Sequence, residues 1–170
     1  GLRGDSFTYA LGIAGSKAAG SLEFLAQGTW TKRLHPGWAA HGGIWAALLA
    51  RAGFTSPTTI IEGKRGFLQG YSGDPDPDSI LRDLGQEFQI TRTAIKLHAC
   101  CRYKQGPIDC LLDLRDRHGL AAEDIEGVKI GVLSAGYETI ALPENEKRAP
   151  STVVDMQFSM PFGAAVALAY

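Results

Sequence analysis

The chain has 170 residues, 45% of them hydrophobic and 21% charged, and its formal net charge is −1. This composition is typical of one globular domain or of part of a larger one. The balanced charge argues against a nucleic-acid-binding module, and no apolar run reaches the roughly 18 to 20 residues of a membrane span. The first segment lacks the basic flank and cleavage site of a signal peptide. We expect a cytoplasmic protein with no nucleic-acid or membrane partner.

Helical patterns dominate the first half of the chain. Asp5-Ser6 can cap a helix over 7–26 that ends at Gly28, and the many glycines within it predict the close approach of a neighbouring helix. Further helices are predicted at 38–52, which ends at Gly53, at 57–63, and near 79–84. The turn-rich segment 70–78 is the best candidate for a domain boundary. Turn chemistry explains its Asp-Pro-Asp-Pro-Asp run better than a metal ion does, so no metal site is predicted.

The second half has a different pattern. Residues 88–96 alternate roughly between apolar and polar side chains, which predicts a strand. A helix over 107–118, ended by Gly119, leads to a second strand over 128–133; a charged loop (143–150) and a helix from Thr152 follow. This order predicts an α+β fold: part of an all-α helical domain over 1–84, and a small strand-helix-strand-helix lid domain over 85–170 that is incomplete at its C-terminal end.

The three cysteines (Cys100, Cys101 and Cys110) fit neither a zinc spacing nor an even-numbered disulfide framework. An odd number without a secretion signal favours a reducing compartment, with a vicinal disulfide between the first two as the alternative. The chain also begins without methionine and ends inside an apolar stretch, so we expect it to be an excised piece of a longer protein.

Cations are concentrated in two segments, 31–41 and 96–103. In the first, Lys32, Arg33 and His35 are predicted to lie in a loop before a helix, where free backbone N–H groups and cations together can bind an anion; a solvated basic loop is the alternative. In the second, Lys96 and His98 precede the cysteine pair. A small, multiply anionic ligand would explain both concentrations. Phosphate-binding loops, the GxSxG elbow and HExxH are all absent.

The first segment, from Thr31-Lys32-Arg33-Leu34-His35 to Ala39-Ala40-His41-Gly42-Gly43, resembles the TKxLHxGxAAxxG signature of the MmgE/PrpD family. The second, Lys96 to Asp109 with Cys100-Cys101-Arg102-Tyr103 inside it, resembles that family's KxYPCCRYTHxxID segment. The stretch from Phe158 to Leu168 is similar to its FSxPYxxAxAL motif. The matches run in the same order along nearly the whole chain.

The resemblance implies a helical domain and an α+β lid with the active site in the cleft between them, usually in a homodimer. Members act on small di- and tricarboxylic acids without a metal or organic cofactor. By position, Lys32 and Lys96 match the lysines that bind substrate carboxylates. Cys101 falls where relatives have histidine or cysteine, Tyr137 matches a cleft tyrosine, and His35 belongs to the motif, either touching substrate or supporting the site. These three are the predicted catalytic residues.

Two departures from the family pattern bear on function. Ala99 stands where a proline is expected, and Lys104-Gln105 replaces the residues that include a histidine. Catalytic residues of the family's earlier helical segments would lie upstream of Gly1, so we expect the chain alone to be inactive. The leading hypothesis is a hydro-lyase of the 2-methylcitrate dehydratase type. The alternatives are a decarboxylase or isomerase of the same family, and a non-catalytic carboxylate-binding relative.

Overall fold

The computed structural model describes residues 1–170, which form helices joined by turns and extended segments, without any β-strand. The α-helices are Gly4–Ser16 (α1), Phe24–Gln27 (α2), Thr31–Arg51 (α3), Phe67–Tyr71 (α4), Asp78–Leu81 (α5), Gln105–His118 (α6), Ser134–Ala141 (α7), Glu144–Arg148 (α8), Val153–Gln157 (α9) and Met160–Ala169 (α10). Three 3₁₀ turns lie at Gln89–Arg92, Arg102–Lys104 and Ala122–Asp124. None of the helices combines the length and the apolar character needed to cross a membrane.

The chain divides into two compact units. Unit 1 comprises residues 1–24 and 30–93, and unit 2 comprises residues 25–29 and 94–170. The short segment 25–29 belongs to unit 2, where the Thr152 hydroxyl donates a hydrogen bond to the carbonyl of Gly28 (3.3 Å). The domain boundary between residues 84 and 85 stays a prediction.

In unit 1, helix α1 packs against α3 around buried Ile13, Ala46 and Ala50. The helix predicted over 7–26 is too long, because α1 ends at Ser16. The glycines of α1 do permit a close approach, but of a non-helical segment: a Cβ at Gly12 would lie 2.1 Å from the Ser56 hydroxyl oxygen. The helix predicted over 57–63 is likewise a series of turns.

Helix α3 begins at Thr31, seven residues earlier than the helix predicted from Trp38. Proline is common in the first turn of a helix. Pro36 lies in the second turn of α3, where it cannot donate a hydrogen bond to the carbonyl four residues earlier. The predicted end is confirmed, because Gly53 has a φ of +89° just after the helix. Lys32, Arg33 and His35 are therefore helical and do not lie in a loop.

In unit 2, α6 packs against α10. Their apolar residues, Ile108 and Leu111 on α6 and Ala164 and Ala167 on α10, are buried. The predicted helix over 107–118 is confirmed to within two residues, and it ends as expected because Gly119 adopts the left-handed conformation (φ +60°). The helix predicted from Thr152 is two helices, α9 and α10.

Helices α9 and α10 begin at side-chain caps. Thr152 accepts a hydrogen bond from the N–H of Asp155 (3.1 Å), and the Asp155 carboxylate accepts one from the N–H of Thr152 (3.1 Å), which forms a capping box. Ser159 interrupts the helical stretch and caps α10 by accepting from the N–H of Phe162 (3.0 Å). The predicted charged loop over 143–150 contains the short helix α8.

Both predicted strands are wrong. Residues 88–96 form the 3₁₀ turn Gln89–Arg92 and then extended chain, and residues 128–133 are irregular. An alternating pattern describes a segment with one apolar face, but a strand forms only where a neighbouring backbone completes its hydrogen-bond ladder. Neither segment has such a neighbour, and they fall mostly in different units. The fold class is therefore all-α, and the predicted α+β lid with a strand-helix-strand-helix order is not present.

Candidate functional site

The first basic segment forms the start of α3. Its first turn contains Lys32 and Arg33 and no acidic residue, and Trp30 at the N-cap provides no side-chain hydrogen bond to the helix end. The Arg33 guanidinium lies over the indole ring of Trp30, 5.1 Å from its centroid. The positive pole of the helix dipole lies at this end and repels cations, and a bound anion would reduce that repulsion.

The two histidines of this segment pack against aromatic rings of unit 1. His35 is half-buried and meets the buried Phe24 ring edge-on, with ring centroids 6.1 Å apart. His41 stacks on Trp38 and accepts a hydrogen bond from the indole N–H of Trp45 through its Nε2 (2.8 Å). Both rings therefore have structural contacts, and His35 remains partly exposed.

The second basic segment forms a tight turn in unit 2, and Gln105 holds it in place. Its buried side chain accepts a hydrogen bond from the N–H of His98 (3.0 Å) and donates to the His98 carbonyl (3.0 Å). The same amide nitrogen lies 3.2 Å from the sulfur of Cys100 and 3.5 Å from the carbonyl oxygen of Cys101. The residue at the position of the expected histidine thus organises the backbone around the cysteine pair.

All three cysteines are free thiols, so the vicinal disulfide is not formed. Cys101 is buried, and its N–H donates to the carbonyl of Gln157 (2.9 Å). Burial raises the pKa of the Cys100 thiol, while Lys104 and, more weakly, Lys96 lower it. Two lysines thus lie within electrostatic range of the Cys100 thiol, and the effect of burial outweighs theirs.

Lys104 is the least expected feature of this segment, since it is only 1% exposed. Its ammonium donates to the backbone carbonyl of Met156 (2.8 Å) and forms no ion pair with a carboxylate. Burial lowers the pKa of Lys104, and the Cys100 and Cys101 thiols act in the opposite direction. Gly163 of α10 provides the space for this side chain, because a Cβ there would lie 2.6 Å from Lys104 Cε.

Tyr137 lies apart from the cysteine pair within unit 2. It is 48% exposed on α7 and lines a cavity of about 460 Å³ together with Val128, Arg148 and Met160. A second cavity, of about 450 Å³, is lined by His98, Cys100 and Lys104. Gly136, next to Tyr137 in sequence, packs against the ring of Tyr103.

The structure brings some of the predicted site residues together. Lys32 and His35 lie three residues apart on α3, a spacing that puts them on neighbouring positions of one helical face. In unit 2, Lys96 lies within electrostatic range of Cys100, which adjoins Cys101. Tyr137 lines a different cavity from the one that Cys100 lines. Their roles in catalysis and substrate binding, and the pairing of Lys32 with Lys96, stay predictions.

Sequence reasoning missed the structural roles of Lys104 and Gln105. The sequence signal for these roles was the departure from the family pattern. At two positions near the cysteine pair, this chain has a cation and an amide instead of the expected residues. A lysine is rarely buried without a partner, so the sequence favours an exposed Lys104. Only the position of Gly163, distant in sequence, makes its burial sterically possible.

Comparison with known proteins defines the class to which these elements belong. Residues 1–80 match the model of the MmgE/PrpD N-terminal domain, and residues 98–170 match that of the MmgE/PrpD C-terminal domain. The chain belongs to the MmgE/PrpD family.

Its similarity to individual members is moderate. Over 125 residues it is 31% identical to the cis-aconitate decarboxylase of Aspergillus terreus, a match that covers 69% of this chain and 25% of that protein. Over 122 residues it is 34% identical to the cis-aconitate decarboxylase-like protein oryM of Aspergillus oryzae, covering 68% of this chain and 25% of that protein. The chain thus spans about a quarter of the length of these curated relatives.

Proposed function

We propose that the protein carrying this chain is a lyase that acts on a small di- or tricarboxylic acid without a metal or organic cofactor. The observation that carries the proposal is the match of both family models along the chain, together with the similarity to two proteins named for cis-aconitate decarboxylation. Dehydration of a 2-methylcitrate-like acid and decarboxylation of an unsaturated acid are the two reactions to test. The motif resemblance supports the first, and the names of the relatives support the second.

The two reactions pose the same electrostatic problem. Loss of a proton or of CO₂ next to a carboxylate leaves negative charge that spreads onto carboxylate oxygens. Fixed ammonium groups near those oxygens lower the barrier, and lysine suits this role because it is a compact point charge. We assign carboxylate binding to Lys32 and Lys96. His35, Cys101 and Tyr137 are the candidates for proton transfer, for which a positioned side chain must reach the reacting atom.

The test is a turnover assay of the whole protein with a panel of small polycarboxylates that includes 2-methylcitrate and cis-aconitate, with products identified by NMR in D₂O. For an accepted substrate, Lys32→Ala and Lys96→Ala should each lower kcat/KM by about 10²- to 10³-fold, the usual cost of removing one charge-stabilising group. Lys64→Ala is the matched control, because Lys64 is an exposed lysine of unit 1. An unchanged kcat/KM in either site variant would contradict the assigned role.

The same experiment distinguishes the other hypotheses. Deuterium incorporation without a net product would identify an isomerase or epimerase. Calorimetric binding of citrate-like acids without turnover would identify a non-catalytic carboxylate-binding relative. A homodimer and a cytoplasmic location, both expected from the sequence, are part of the proposal, and sedimentation of the whole protein tests the first.

A further inference from the structure

His98 is the one histidine of the chain that is paired with a carboxylate. Its Nε2 lies 2.7 Å from Oδ1 of Asp109, which belongs to α6. The other histidines form no ion pair: His35 and His41 pack against aromatic rings, and His118 is exposed at the end of α6. A carboxylate beside an imidazole sets the tautomer and the orientation of the ring.

The pair with Asp109 determines which ring nitrogen of His98 is available for a proton. A carboxylate has only acceptor atoms, so Nε2 carries the hydrogen in this contact. The neutral ring then has an unprotonated Nδ1, and the chain provides no hydrogen-bond partner for that nitrogen. When Nδ1 takes up a proton, the Asp109 carboxylate lies against the positive charge that forms and stabilises it. The pair therefore favours proton exchange at Nδ1.

One helix holds both the backbone and the ring of His98. Gln105, the first residue of α6, accepts a hydrogen bond from the N–H of His98 (3.0 Å) and donates one to its carbonyl (3.0 Å). Asp109 follows four residues later, a spacing that puts it on the same face of the helix as Gln105. A group that transfers a proton must be held within hydrogen-bond reach of the reacting atom, and these three contacts restrict the position of the His98 ring.

The ring of His98 remains accessible to a reactant. Its side chain is 26% exposed, whereas Cys101, two turns of the same loop further on, is buried. Lys96, to which the proposed function assigns a substrate carboxylate, precedes His98 by two residues. Two residues of chain span at most about 7 Å, so the carboxylate-binding lysine and the paired histidine belong to one short segment.

The other titratable groups around His98 are neutral or cationic rather than acidic. Cys100, Lys104 and Tyr170 line the same cavity as His98. Asp109 is therefore the one carboxylate in contact with the ring.

We propose that His98, with Asp109 as its positioning residue, transfers the proton in the reaction of the whole protein. The inference rests on the proposed lyase function and adds a proton-transfer group to the candidates predicted from the sequence. In a dehydration, Nδ1 takes the proton from the carbon next to a carboxylate, the electron pair of that C–H bond forms the double bond, and the C–O bond breaks with loss of hydroxide. In a decarboxylation, the C–C bond to the leaving CO₂ breaks, its electron pair is delocalised onto the remaining acid, and the imidazolium donates its Nδ1 proton to carbon.

The test is the turnover of the whole protein with the acid that it accepts from the polycarboxylate panel. His98→Gln keeps an N–H donor for Asp109 but cannot take up a proton, so it should lower kcat/KM by about 10²- to 10⁴-fold, the usual contribution of a general acid or base. Asp109→Asn should lower kcat/KM by about tenfold or more, because the imidazolium loses its partner charge. His118→Gln is the matched control, since His118 is an exposed histidine of the same unit, and its kcat/KM should stay within about twofold of wild type.

The pH profile of kcat/KM separates proton transfer from a structural role. A base in a dehydration gives a limb that rises with pH, and an acid in a decarboxylation gives a limb that falls with pH. In either reaction His98→Gln should lose that limb, and Asp109→Asn should move it to lower pH, because the carboxylate no longer favours the imidazolium. The circular dichroism spectra of both variants should match that of wild type.

The outcomes distinguish this inference from the proposed function. Turnover by wild type together with an unchanged kcat/KM or an unchanged limb in His98→Gln would overturn the assignment of His98 alone. If His98→Gln does not fold, Asp109→Asn decides, and a limb that stays in place overturns the assignment. If wild type turns over no acid of the panel, the proposed function is overturned, and the assignment of His98 with it.

Discussion

Replacing Gly163 with alanine tests the close contact between α10 and Lys104, on which the burial of that lysine depends. The added Cβ would lie 2.6 Å from Lys104 Cε and 2.9 Å from its Nζ. Carbon atoms in contact are separated by roughly 3.5 to 4.0 Å, so the end of the lysine side chain has to move by about 1 Å. That movement breaks the hydrogen bond from Nζ to the carbonyl of Met156 (2.8 Å).

The magnitude follows from two opposing contributions. A hydrogen bond from a charged donor contributes roughly 1.5 to 3 kcal/mol. Alanine in place of glycine inside a helix gains about 0.5 to 1 kcal/mol. Gly163→Ala should therefore lower the free energy of unfolding of unit 2 by about 0.5 to 2.5 kcal/mol. In a Lys104→Ala background no atom obstructs the new Cβ, and the same substitution should be stabilising by about 0.5 to 1 kcal/mol. The sign of the effect reverses between the two backgrounds.

Native-state amide hydrogen exchange, followed by mass spectrometry, measures the free energy of opening of α6 (residues 105–118) and α10 (residues 160–169). It should be measured in four proteins: wild type, Gly163→Ala, Lys104→Ala and the double variant. Trp30, Trp38 and Trp45 all belong to unit 1, so tryptophan fluorescence during denaturation provides an internal control that should not change. If Gly163→Ala is destabilising by the same amount with and without Lys104, the steric reasoning is wrong.

Two further predictions concern the same segment. Gln105→Leu should lower the free energy of unfolding of unit 2 by about 2 to 4 kcal/mol, because the N–H and carbonyl of His98 lose their partner. The same variant should label Cys100 faster with iodoacetamide. An unchanged labelling rate would contradict the role of Gln105 in holding the turn. The second prediction concerns pH. The pKa of Lys104 is lowered in the folded state, whereas in the unfolded state the lysine keeps its proton up to about pH 10.4. Between these two pKa values the unfolded state binds more protons, so the free energy of unfolding should rise with pH. The difference in unfolding free energy between wild type and Lys104→Met isolates this contribution from that of Lys147, whose pKa is also lowered, and a difference that stays constant with pH would contradict it.

Local signals predicted two helix ends correctly but placed the end of α1 about ten residues too late, and they did not identify the partners of the predicted segments. The stops at Gly53 and Gly119 are confirmed because a glycine at positive φ ends a helix by a rule that needs only neighbouring residues. The strands over 88–96 and 128–133 were wrong because a strand requires a distant backbone that the alternating pattern does not specify. The start of α3 was predicted seven residues too late, because the helix continues back through Pro36 to Thr31.

The features of the candidate site were also predicted only where they depend on neighbouring residues. The sequence alone identified both basic segments and the cysteine pair, because these are groups of residues that are adjacent in the chain. It could not show that Gln105 braces the turn from His98 to Cys101, since that role depends on three-dimensional hydrogen-bond geometry. Nor could it show that Lys104 is buried, because this depends on a glycine in another helix.

Under the proposed function, the identity of Gln105 limits which groups can transfer a proton. A histidine at this position could accept and release a proton near neutral pH, whereas a primary amide cannot, and the donors of Gln105 are already directed at the carbonyl oxygens of the turn. Under the proposed function, proton transfer would therefore have to use a different group. Among the candidates, Cys101 is buried in the braced turn, while Tyr137 is half-exposed and lies in another cavity. The residue that takes the place of the expected histidine thus fixes the backbone next to the Cys101 thiol.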